Sequence, residues 1–93
     1  MEEVHCEGCD GHWHSPVAID LSVSRKVATL VRSGDTIAAI RYLREATGLS
    51  LRDAKEVYLH LTRQPGKCQR CGASLVGSGT VACNQCRSLN YDW

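Results

Sequence analysis

All six cysteines of the chain stand in C-x-x-C pairs, Cys6/Cys9, Cys68/Cys71 and Cys83/Cys86, with none left over. Two residues between cysteines let a tight turn aim both sulfurs at one cation, so pairs so spaced read as metal knuckles rather than as a disulfide framework. The opening "MEEVHCEGC" has no basic n-region and no apolar core, so no secretory signal is expected. A cytoplasmic setting follows, where thiols serve metals more often than disulfides. Arg, Asp or Glu interrupts every apolar stretch, so no membrane span is expected either. At 93 residues the chain can bury only a modest core, and a metal is one of the staples such small folds recruit.

The C-terminal knuckles, "CQRCGASLVGSGTVACNQC", are C-x2-C, eleven residues, then C-x2-C. Cys68, Cys71, Cys83 and Cys86 together complete a tetrahedron at zinc, with sulfurs about 2.3 Å from the ion. Gly72 stands where the knuckle backbone must avoid side-chain clashes. "ASLV" and "TVA" flank Gly77-Ser78-Gly79 in a strand–turn–strand pattern. Residues 67–88 resemble the zinc ribbon family, and the resemblance implies a structural zinc in a docking or nucleic-acid-contacting module. Four thiolates close the shell, leaving no position for a reactive water, so no catalysis is expected.

The opening stretch "HCEGCDGHWH" raises a second site. Cys6 and Cys9 with His12 and His14 would hold a second zinc in a net-neutral shell. Two other readings stay open. The pair could join one C-terminal knuckle, although loop entropy favours local pairing of the four later cysteines. It could also be a redox dithiol, yet the stretch opens no helix and its acids disfavour a thiolate. Trp13 is expected to cover the metal or to pack on the helices.

Between the cysteines the chain reads as helical. Val23, Val27, Leu30 and Val31 recur on one face, with Ser22 or Ser24 as cap and Gly34 at the end. Asp35 caps a second helix with Ile37, Ile40 and Leu43 as its stripe, and Gly48 is placed to terminate it. Ser50 and Asp53 resemble a capping box for a third, striped by Leu51, Ala54, Val57, Tyr58 and Leu61 and closed by "QPG" at 64–66. The expected fold is mainly α: a three-helix bundle over 21–64, a zinc ribbon with a C-terminal flap of Leu89, Tyr91 and Trp93 over 65–93, and a Cys/His knuckle over 1–20 joined through Pro16.

The net charge of +1 hides a gradient. Residues 1–22 carry five acids and no Lys or Arg, while residues 23–67 hold nine Lys/Arg against four acids. Residues 35–59, "DTIAAIRYLREATGLSLRDAKEVYL", resemble a helix pair in the C-terminal domain of the bacterial large-subunit ribosomal stalk protein, through "A-x-I-R", "ATGL-x-L" and "A-K". The resemblance implies a surface contacting translational GTPases, carried here by Ile37, Ile40, Arg41, Arg44, Leu51 and Lys55. The plainer reading makes the apolar members core. It also balances the arginines through the i, i+4 pairs Arg41/Glu45 and Arg52/Glu56, worth a few tenths of a kcal/mol each.

The sequence therefore reads as a small cytoplasmic, bacterial, zinc-binding interaction or adaptor module. It carries two zinc ions, is not an enzyme, and meets another protein through Arg41, Arg44 and Lys55. A ribosome- or RNA-associated factor using the same face is the first alternative, and a thiol redox protein through Cys6/Cys9 the second. Sequence-specific DNA reading is disfavoured, because Arg44 stands where a helix-turn-helix needs a small residue and the basic excess supports few phosphate contacts.

Overall fold

The computed structural model describes residues 2–16, 19–77 and 79–93. In chain order they form β1 (Glu2–Cys6), β2 (Gly11–Ser15), α1 (Leu21–Arg32), α2 (Thr36–Thr47), α3 (Leu51–His60), β3 (Gly79–Ala82) and β4 (Leu89–Asp92). β1 pairs antiparallel with β2, and β3 with β4. The opening stretch is thus a hairpin, with Cys6 opposite Gly11 and Val4 opposite Trp13. Its side chains alternate as the pleat requires: Cys6, Trp13 and Ser15 are buried, while His5, His12 and His14 face outward.

The helices begin and end where local chemistry satisfies their terminal amides and carbonyls. α1 is capped two residues before the first of the expected caps, by Asp20, whose carboxylate accepts from the amide and hydroxyl of Ser22 at 2.8 and 2.7 Å. Ser24 lies buried inside the helix instead. Asp35 caps α2 through the amide of Ala38, and Gly48 ends it in the left-handed region at φ +76°. The Ser50 hydroxyl accepts from the Asp53 amide and donates to the Asp53 carboxylate, which starts α3.

Three helices and two two-stranded sheets make this a small mixed α/β fold, not the mainly α three-helix bundle expected from the periodicity. α1 packs on α2 and α2 on α3, but α3 also packs on β2 and β4. The reason lies in side-chain bulk. The helices bury Val, Ala and Leu, and the chain has no Phe. The two largest fully buried side chains, Trp13 and Tyr91, both come from strands. They fill one core with Val27, Leu43, Val57 and Leu61.

The C-terminal part departs from expectation in the same way. α3 stops at His60 rather than near 64–66, because Leu61 turns extended and bridges Tyr91, and the Thr62 amide donates to the Tyr91 carbonyl at 3.0 Å. "TVA" pairs with Leu89–Asp92, not with "ASLV", so the expected flap is a strand. Lys67 and Ser74 form an isolated antiparallel bridge. Ser78 of the expected turn, and Val17 and Ala18 of the connection after Pro16, lie outside the described residues.

A buried polar chain stitches the first hairpin to β4. Trp13 Nε1 donates to Tyr91 Oη at 2.9 Å, and Tyr91 Oη donates to Ser15 Oγ at 2.7 Å. Burial pushes the Tyr91 phenol above its ordinary pKa, so it stays neutral and keeps its proton to donate. Tyr91→Phe strands a buried indole N–H and a buried hydroxyl, and is expected to cost about 1–3 kcal/mol in denaturant unfolding with little change in slope.

Asp53 ties β2 to α3 by accepting the His14 amide at 3.1 Å. Burial opposes its ionisation, but the His14 amide, the Ser50 hydroxyl and the nearby His14 and Arg52 side chains outweigh it and hold the carboxyl below its ordinary 3.8. A carboxyl depressed on folding stabilises the fold above its unfolded pKa, and loses that contribution as pH falls through the folded value. Asp53→Asn is therefore expected to flatten the acid limb of a stability-against-pH profile.

Candidate metal centres

The donor atoms of Cys68, Cys71, Cys83 and Cys86 all lie within 4.8 Å of one another. The Cys68 and Cys86 sulfurs are 3.7 Å apart, and those of Cys71 and Cys83 are 3.5 Å apart. A zinc tetrahedron with arms of about 2.3 Å has edges of about 3.8 Å, so the spacing suits one ion. Backbone amides of Arg70 and Gln85 donate to the Cys68 and Cys83 sulfurs, and Asn90 Nδ2 donates to Cys68. At Cys68 burial opposes ionisation, yet the Cys71 and Arg70 amides with Asn90 bring the thiol down to about 6. The amides of Cys86 and Gln85 lower Cys83 as well. Cys86 is pushed up to about 12 by burial and by the sulfurs of Cys68, Cys71 and Cys83. The arrangement favours thiolates and then crowds them, which a divalent cation resolves. It fits a closed zinc knuckle pair.

All three C-x-x-C pairs adopt one backbone form. The residue after the second cysteine has positive φ in each: Asp10 at 60°, Gly72 at 78° and Arg87 at 63°. Its amide donates back to the first cysteine's carbonyl in each, at 2.7, 3.0 and 2.9 Å respectively. Sequence reading anticipates this demand at Gly72 alone. At Asp10 and Arg87 a side chain is carried through the left-handed region at roughly 1–2 kcal/mol. Cys6/Cys9 is thus a knuckle like the other two.

Its partner is not the pair of histidines expected beside it. Cys6 and Cys9 group with His60, all three donor atoms within 4.8 Å. The pleat turns His12 and His14 to the outer face of the hairpin. There His12 stacks on His5 at 4.3 Å, and His14 Nδ1 lies 3.5 Å from the Asp53 carboxylate. His5, Asp10 and His12 form a separate, exposed group on that face, with His5 Nε2 2.7 Å from Asp10 Oδ1.

His60 ends α3, buried, with its ring stacked on Trp13 at 4.3 Å. Nδ1 lies 2.8 Å from the Glu56 carbonyl, and Nε2 lies 3.4 Å from Cys9 Sγ. A proton on Nδ1 satisfies that carbonyl and leaves the Nε2 lone pair for a metal. The Leu89 amide donates to Cys6 Sγ at 3.2 Å, and Ser88 Oγ lies 3.6 Å away. Burial opposes ionisation of Cys6, but the Leu89 and Cys9 amides with Ser88 bring it down to about 6. Burial, the Cys6 sulfur and Glu56 push Cys9 up. The sequence signal for His60 is a histidine three residues after Val57 on the buried stripe of α3, which becomes a ligand only once the hairpin covers that stripe.

The candidate partner residues share one surface. Arg41, Arg44 and Lys55 line a cavity of about 630 Å³ between α2 and α3, with Ile37, Ile40, Leu49 and Leu51 among its apolar walls. The expected pairs Arg41/Glu45 and Arg52/Glu56 are not formed. Arg52 sits by Asp53 and donates to the His12 carbonyl, and among the described residues Arg41, Arg44 and Lys55 make no ion pair.

No family model, curated protein or solved structure matches this chain. The resemblance of residues 35–59 to the ribosomal stalk protein is thus supported by no family or homologue. The molecule is defined by its own geometry, a small α/β domain with two cysteine-rich candidate metal centres that fit zinc. No helix among the described residues is long and apolar enough to cross a membrane.

Native mass spectrometry after zinc loading is expected to count two ions per chain. Cys9→Ser and His60→Ala should each drop the count to one, whereas His12→Ala and His14→Ala should keep both. Loss on His12 or His14 substitution would restore the local ligand set.

Proposed function

We propose that the chain is a non-catalytic, zinc-held interaction module of the cytoplasm that docks an acidic, partly apolar segment of another protein between α2 and α3. The observation that carries this reading is the character of the cavity there. Ile37 is 74% exposed and Leu51 44% exposed, side chains that water does not favour, and both belong to its walls. Arg41, Arg44 and Lys55 stand around them, with Glu45 as the acid among the lining residues. An apolar floor within a basic rim matches a peptide that carries both apolar and carboxylate side chains. RNA is less well served, because among the described residues no aromatic lines the cavity to stack a base. The four-thiolate centre, with its closed shell, holds the scaffold and offers no position for a reactive water.

Selection of random displayed peptides on the zinc-loaded protein tests this. The expected winners mix Asp/Glu with Leu, Ile or Phe, and lose at least tenfold in affinity on Arg41→Glu/Arg44→Glu, both exposed positions. Raised salt should weaken them moderately, since the apolar part of the contact remains. Winners indifferent to the charge reversal, or tight salt-steep capture of single-stranded RNA in their place, would overturn the reading.

A further inference from the structure

We infer that the centre formed by Cys6, Cys9 and His60 completes its metal shell with a ligand from outside the chain: water, exchangeable for a small neutral nitrogen donor of the imidazole class. The inference rests on these three residues binding a metal at all. Among the described His, Cys, Asp and Glu side chains, four donors converge at the C-terminal centre but three here. A tetrahedral zinc takes four, and three protein ligands plus one exchangeable ligand is the arrangement of sites that keep a position open.

Two of the three donors are held in place. Cys6 is fully buried and fixed by the Leu89 amide. His60 has Nδ1 held by the Glu56 carbonyl, so it offers Nε2 alone. Cys9 is exposed, which opens the centre to solvent on its side. Gly11 keeps that side clear: a Cβ there would lie 3.3 Å from Cys9 Sγ and 3.8 Å from Glu56 Oε2. The missing side chain keeps a methyl group from crowding that sulfur and leaves a gap in the hairpin's side-chain cover next to Glu56.

Glu56 borders this gap from α3 with its side chain 31% exposed, its Oε2 3.8 Å from His60 Nδ1, and it falls outside the converging group of three. Two thiolates neutralise a divalent ion, and the Glu56 carboxylate repels a further anion. A neutral donor bearing a proton suits the position, because Glu56 accepts that proton as a hydrogen bond. Water and imidazole both qualify.

Cadmium-113 NMR of the cadmium-loaded chain separates the two centres within one sample. Two resonances are expected, of which Cys9→Ser removes one. Titrated imidazole should move that resonance and leave the four-thiolate resonance in place. A resonance that ignores imidazole in the wild type but answers to it in Glu56→Gln would mean that Glu56 closes the shell, overturning the inference. Indifference to imidazole in both proteins overturns it equally. A single resonance, unchanged in Cys9→Ser, would instead remove the metal centre on which the inference stands.

Discussion

The two ends of this chain meet around clustered sulfur atoms that could not stay charged together without a cation. Were both ionised, sulfurs 3.5 Å apart, the Cys71–Cys83 distance, would repel by about 5 kcal/mol even at an effective dielectric of 20. Yet the surrounding amides are aimed at the sulfurs as if the charges were already present. The Arg70, Gln85 and Leu89 amides, and the side chain of Asn90, all point donors at cysteine. A small protein stable by only a few kcal/mol cannot carry such repulsion, so without a cation some of these thiols keep their protons, as the high pKa of Cys86 shows. A divalent cation would relieve that repulsion, and the four sulfurs at the C-terminal centre are spaced to hold one.

Residues 83–91 join the parts. Cys83 and Cys86 form a knuckle of the closed centre, the Arg87 carbonyl accepts the Gly8 amide of the first knuckle, and the Leu89 amide reaches Cys6. Asn90 returns to Cys68, and Tyr91 enters the core against Trp13. The seam is tight where Gly8 meets Ser88. A Cβ at residue 8 would fall 2.7 Å from the Ser88 backbone, and Arg70 donates to the Gly8 carbonyl from the other side. The two centres are thus mechanically continuous through one short stretch of backbone, although their ligands are separate.

Much of this was legible before any coordinates. The cysteine spacing carried the ribbon site, because a knuckle is a local object. Asp35, Gly48 and Ser50 marked helix ends for the same reason. What escaped is non-local. Alternation across "GHWHS" is the mark of a strand, but with cysteines beside it the histidines read as ligands. His60 is 51 residues from Cys9, and nothing in either neighbourhood announces the other. The helical stripes are apolar, yet they do not say whether another helix, a strand or nothing covers them: Ile37 and Leu51, read most plainly as core, are exposed. That choice was settled by the bulk of Trp13 and Tyr91.

The separation between Cys9 and His60 also sets an order of events during synthesis. The closed centre draws its ligands from residues 68–86, a stretch that emerges almost together and can take metal at once. The first centre has its two thiols early and gains His60 just before Cys68 is made, but waits for the Leu89 amide that steadies Cys6. Through that interval Cys6 and Cys9 are the unguarded pair of the nascent chain, open to oxidation or to the wrong ion. The hairpin that comes first in the sequence can complete its contacts only once Leu89 and Tyr91 have been made.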